Sequence, residues 1–101
     1  MANLTSKQKT FLRGLGQRTR STASVGKAGL SEGVIEGIKV LLERHELVKV
    51  HIPEGSGDDR AAMADELAAS TGSELVTLIG RMVLLYRPSE RLPENRKIHF
   101  S

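Results

Sequence analysis

A chain of 101 residues is long enough for one domain with a single modest core. It has no cysteine, which excludes disulfides and thiolate metal sites and makes a cytoplasmic setting the simplest expectation; no run of about 18 apolar residues offers a membrane span, and Met1 to Thr10 lacks the apolar segment of a signal peptide. Net charge is +3, with only Phe11, Tyr86 and Phe100 as aromatics, too few for an aromatic base-stacking platform.

In chain order, Thr5 followed three residues later by Gln8 predicts a capping box and a first helix. Leu4, Gln8, Phe11, Leu12 and Leu15 share one face at helical spacing, Lys9 and Arg13 lie four apart on another, and Gly14 and Gly16 end the helix. Arg18 to Ser24 is polar and reads as an extended connection into a short strand ending at Val25.

Val25-Gly26-Lys27-Ala28-Gly29-Leu30-Ser31 then places a lysine between two glycines at the start of a helix. Glycine permits positive φ and lets another backbone come close. Ser31 is the expected N-cap, which leaves the free N–H groups and positive dipole end of the helix beside Lys27. That combination suits a phosphate. It is also what any strand-to-helix turn needs.

The second helix is expected from about Glu32 to Arg44, with Val34, Ile35, Ile38, Leu41 and Leu42 as its apolar stripe. Gly29, Gly33 and Gly37 recur every four residues. A glycine inside a helix costs about 1 kcal/mol against alanine, so the spacing favours tight packing against another element; for Gly33, close approach of an external backbone is the competing reading. Leu47 to Ile52 has the alternation and β-propensity of a strand. Pro53 to Gly57 reads as a loop, and Asp58 or Asp59 caps a third helix buried through Ala61, Ala64, Leu67 and Ala68 and stopped by Gly72. Leu75–Ile79 and Met82–Tyr86 are strands joined by the two-residue turn Gly80-Arg81. The pattern is α-β-α-β-α-β-β: an α/β (α+β two-layer) fold with parallel pairing through crossovers and a mixed four-stranded sheet closed by an antiparallel hairpin. Residues 1–88 form the domain, and 89–101 are expected to be a basic, partly disordered tail.

Charge is segregated along the chain. Residues 1–31 hold Lys7, Lys9, Arg13, Arg18, Arg20 and Lys27 with no acid; residues 32–79 hold four bases against ten acids; residues 80–101 hold five bases and two acids. A positive end suits a polyanion, and an acidic middle suits a basic protein partner. His45, His51 and His99 have no metal-ligand spacing, and the pairs Asp58-Asp59 and Asp65-Glu66 fall where helix starts favour acids. No phosphate-binding P-loop, nucleophile elbow or dinucleotide fingerprint is present. An enzyme, a metal and a cofactor are therefore not expected.

Four stretches together resemble one family: Leu4-Thr5-Ser6-Lys7-Gln8-Lys9, Val25 to Val34, His45 to Val50, and Ile79 to Pro88. They are similar to the stand-alone bacterial YhbY proteins, the single-domain form of the CRM (chloroplast RNA splicing and ribosome maturation) domain, over about residues 2–88. The resemblance implies a fold like the C-terminal domain of translation initiation factor three. It also implies RNA binding through the Gly-x-x-Gly loop and association with the precursor of the large ribosomal subunit. Gly26, Lys27, Ala28 and Gly29 occupy the loop positions, Ala28 standing where family members often have Asn. The expectation is a cytoplasmic, monomeric RNA-binding protein. Lys7, Lys9, Arg13, Arg18 and Arg20 would widen its positive footprint. The competing expectation is a protein–protein adaptor that docks on assembly factors through its acidic face.

Overall fold

The computed structural model describes residues 4–19, 22–26, 29–53 and 60–100. The elements run α1 (Ser6–Gly16), β1 (Thr22–Ser24), α2 (Glu32–His45), β2 (Leu47–His51), α3 (Arg60–Thr71), β3 (Glu74–Ile79) and β4 (Met82–Tyr86), with a 3-10 turn at Glu94–Arg96. Each expected element is present, most within a residue or two of its expected ends.

Local chemistry fixes the helix ends. Thr5 N donates to Gln8 Oε1 at 2.9 Å and Gln8 N donates to Thr5 Oγ1 at 3.1 Å, a complete capping box for α1. Ser31 Oγ accepts from Val34 N at 3.3 Å at the start of α2. The start of α3 adjoins residues 54–59, so the expected Asp58 and Asp59 caps lie outside the described residues. Its other end is a Schellman arrangement: Gly72 sits at φ +67°, Gly72 N donates to Ala69 O, and Ser73 N donates to Ala68 O at 2.9 Å. Arg87 Nη1 adds a bond of 2.9 Å to Thr71 O there.

The sheet order is β1-β2-β4-β3. β1 and β2 are parallel, whereas β4 is antiparallel to both β2 and β3. The second crossover, through α3, thus carries β3 past β2 and leaves a gap that β4 fills. β2 and β3 do run parallel to each other, but they do not pair. Gly80 takes φ +59° at the first turn position of the β3–β4 hairpin, as a two-residue Gly-X turn requires.

Strand alternation divides the buried side chains into two clusters. Val48, Val50, Val83 and Leu85 meet Ile38 and Leu42 of α2 and Ala64, Leu67 and Ala68 of α3. Leu47, Leu84 and Tyr86 project to the other face and meet Leu12 of α1. Val76 joins this second cluster, and a register shift between Leu75 and Thr77 places Thr77, opposite Leu84, on the same face of β3. The sheet therefore carries helices on both faces, α2 and α3 on one and α1 on the other, where the sequence pattern suggested two layers.

Gly16 has a different role from the helix stop expected of it. The residue after it, Gln17, keeps right-handed helical φ of −64°, so no glycine conformation ends α1. Instead, a Cβ on Gly16 would lie 2.8 Å from Leu84 Cδ2. Its missing side chain lets α1 settle on the sheet. Gly16→Ala is expected to lower stability by up to about 2 kcal/mol, the usual cost of overpacking less the roughly 1 kcal/mol that alanine gains in a helix, and to shift the denaturant midpoint without changing the slope. Gly14→Ala, where a Cβ meets nothing within 4 Å, is the control and should stabilise the helix slightly.

Residues 89–100 do not follow the expectation of a loose tail. Ser89 is buried, its N–H donating to Glu46 Oε2 and its hydroxyl to Glu43 O, both at 2.6 Å. Ile98 N donates to Glu46 Oε1 at 2.6 Å. Ile98 and Phe100 then pack on the second cluster, and the Phe100 ring lies 5.7 Å from those of Phe11 and Tyr86. The physical reason is tertiary: on the α1 face of the sheet, Ile98 and Phe100 cover the end around Tyr86.

Candidate nucleic-acid interface

Val25 is fully buried, and its N–H donates to His51 O at 2.9 Å, extending the β1–β2 pairing by one bond. Immediately after it, Gly29 N donates to Gly26 O at 3.0 Å and closes a four-residue turn. Gly29 has φ +85°, which favours glycine; its carbonyl then accepts from Ser31 N at 3.1 Å. Leu30 packs against the core beyond the turn. The turn is therefore held on both sides, by Val25 and by Leu30, and feeds straight into the capped start of α2. Its two central residues, Lys27 and Ala28, lie outside the described residues, as does Arg20.

Gly26 differs from Gly29. Its φ is not positive, and a Cβ there would meet nothing within 4 Å. Among the described residues, neither the backbone nor the packing demands glycine at that position. Gly33 and Gly37 are exposed and equally open, which removes the tight-packing reading of their spacing.

The structure orders the cations of α1 along the sheet. Lys7 borders a hollow formed with Phe11 and Phe100, at the end of the sheet marked by Tyr86. Arg13 lies farther along, beside Lys49 and Leu84, and Arg18 is exposed just past the helix. Lys9 is half-buried. The opposite end of the sheet is the row Ser24, His51, Met82 and Ile79 in register, from which the glycine turn departs. Arg13 thus lies toward the end of the sheet that carries the turn, whereas Lys7 lies toward the far end.

Two groups were missed in the sequence. Lys49 and His51 alternate with the buried Val48 and Val50, which puts them on the α1 side of the sheet with Thr22 and Ser24. That alternation was legible and was the available signal. Arg81 and Arg60 gather at the hairpin beside this end: Arg60 Nη1 donates to Gly80 O at 2.5 Å and Arg81 Nη1 to Pro53 O at 3.3 Å. The acidic side chains Glu32, Glu36, Asp65 and Glu66 are exposed on α2 and α3, across the sheet from α1. Among the described residues no cluster of three or more His, Cys, Asp or Glu could hold a metal, and no helix is long and apolar enough to cross a membrane.

Sheet, glycine turn and capped helix together define a small mixed α/β domain, with the glycine turn and several cations at one end of the sheet. The chain belongs to the CRS1 / YhbY (CRM) domain family, whose model matches residues 4–87. It is 38% identical over 92 residues to the Pseudomonas aeruginosa protein named "Probable RNA-binding protein PA4753", covering 91% of this chain and 88% of that one. It is 36% identical over 90 residues to a Haemophilus influenzae protein named "RNA-binding protein", covering 89% and 91%. The solution structure of the Staphylococcus aureus protein SAV1595 superposes with a TM-score of 0.75 at 41% identity, over 90% of this chain and 95% of that one.

Proposed function

We propose that this protein binds RNA through the Gly26–Gly29 turn and the adjoining cations, as a cytoplasmic, monomeric, non-catalytic factor in assembly of the large ribosomal subunit. The observation that carries this reading is the turn itself. It is closed by a hydrogen bond, anchored on both sides, open at both glycines and placed at a helix N-terminus. In this reading Gly26 and Gly29 let the turn lie against the sugar-phosphate chain, while Lys27 neutralises a phosphate. The N–H groups that open α2 hold another phosphate. Lys7, Lys9, Arg13, Arg18 and Arg20 supply the surrounding positive field. The names of the relatives support RNA as the ligand class. The ribosomal target rests on the family resemblance of the four sequence stretches.

The test is a pair of charge reversals. Arg13 and Arg18 are exposed, so changing both to Glu should leave stability within about 0.5 kcal/mol per site. RNA affinity should fall about tenfold or more, and the slope of log affinity against log salt should shrink by roughly two contacts' worth. Asp65→Lys with Glu66→Lys should leave RNA affinity unchanged or raise it. Loss of ribosome association from the Asp65/Glu66 pair, with none from the Arg13/Arg18 pair, would overturn the RNA reading in favour of a protein adaptor working through the acidic face.

A further inference from the structure

Between the last turn of α1 and the sheet lies an open depression of about 260 Å³. Ile79, Met82 and Leu84 form its apolar floor, and Arg13, Gln17 and Lys49 stand around it. Ile79 is 61% exposed although it is paired in the sheet, an unusual placement for a large aliphatic side chain. The contact of Gly16 with Leu84 fixes the wall made by α1. The volume is below the roughly 300 Å³ at which small-molecule sites begin, so it accommodates one flat ring rather than a whole cofactor. Among the described residues no carboxylate lines it, and neither Arg13 nor Lys49 has an ion pair. At its rim, Lys49 of β2 pairs with Thr22 of β1, and the chain reaches Gly26 four residues later.

We propose that this depression is a nucleobase subsite for single-stranded RNA, an inference that rests on the RNA-binding reading above. A strand whose phosphates follow the glycine turn and the cations of α1 lays one unpaired base on the Ile79–Met82–Leu84 floor. Arg13 offers a planar guanidinium to the ring, and Lys49 meets a neighbouring phosphate. An apolar floor suits a base of any sequence, because every base has an apolar face. It discriminates against duplex, in which those faces are stacked inside. The paired cations without a carboxylate favour this polyanionic occupant over a second copy of the chain.

The experiment uses the full chain labelled at the Ile δ1 and Met ε methyls, titrated with three probes. These are a short mixed-sequence single-stranded RNA, an abasic ribose-phosphate strand of equal length, and a blunt RNA duplex. The expected result is an upfield ring-current shift of the Ile79 and Met82 methyls with the first probe alone. Ile79→Ser, a neutral change at an exposed position, should weaken binding of the base-bearing strand about fivefold, the low end for one base contact. It should leave the abasic strand and the salt slope unaffected. If the Gly26 and Gly29 amides shift with RNA while both methyls stay put, the subsite is overturned and the RNA reading stands. No binding of any probe overturns both. Methyl shifts that track protein concentration without RNA assign the floor to a second copy and overturn the subsite.

Discussion

Glu46→Ala is expected to cost about 3–5 kcal/mol, a large share of the 5–15 kcal/mol that holds a small domain together. Glu46 is only 2% exposed, and its carboxylate accepts two backbone N–H groups, Ser89 and Ile98, each at 2.6 Å. A hydrogen bond to a charged group contributes about 1.5–3 kcal/mol, and removing the acceptor strands two donors away from water. The same residue caps α2 at φ +65°, and its carbonyl accepts from Arg87 N at 2.9 Å. An alanine there retains the left-handed strain while losing the carboxylate. Glu46→Gly relieves that strain and should therefore recover about 1 kcal/mol of the loss. Urea unfolding of the three proteins gives the order, and amide exchange at Ser89 and Ile98 should accelerate in both variants. Tyr86 offers a second readout. Burial first, and then the Glu46 charge, push its phenol above the ordinary value near 10. Removing Glu46 should move that titration part of the way back. Unchanged exchange at Ser89 and Ile98 would show that the tail is held by its apolar contacts alone.

Gly29→Asp should be the most damaging single change for RNA binding, lowering affinity on the order of 100-fold, as an added charge facing a like charge costs several kcal/mol. The backbone at Gly29 has φ +85° and a Cβ there meets nothing within 4 Å, so the penalty to folding is conformational only, about 1 kcal/mol. Gly29→Asn carries the same strain without the charge. Thermal melts of the two variants should coincide, whereas RNA titrations should separate them by tenfold or more. Equal affinity for Asp and Asn would mean that no phosphate faces the turn.

Most of the elements were legible because their signals are local. Thr5 and Gln8, Ser31, Gly72 and Gly80 each announce an end or a turn from within a few residues, and Val48, Val50, Val83 and Leu85 alternate cleanly. What escaped depends on partners far along the chain. Nothing near Ser89 or Ile98 says that both amides end on Glu46, which lies 43 and 52 residues away. The polar, proline-interrupted segment around them reads as loose for that reason. Gly16 looks like a helix stop until Leu84 is placed beside it. The extra residue at Val76–Thr77 exists only relative to Leu84 on the facing strand. Of the candidate site, the sequence located the glycine turn and the cations of α1. It did not show that Lys49 and the exposed Ile79 share their side of the sheet, because that needs the strand order as well as the alternation.

The strand order also sets a timetable for synthesis. β4 is the last strand to be translated and occupies the interior of the sheet, between β2 and β3. Until Tyr86 has left the ribosome, β2 lacks one neighbour and β3 has none, and the apolar side chains of Val48, Val50, Leu75 and Leu78 have half a core to enter. Translation adds about 5–20 residues per second. Each nascent copy therefore spends a matter of seconds with two unpaired strand edges in the open. The β1–β2 pair can form early, but the sheet cannot be completed until its final strand has emerged.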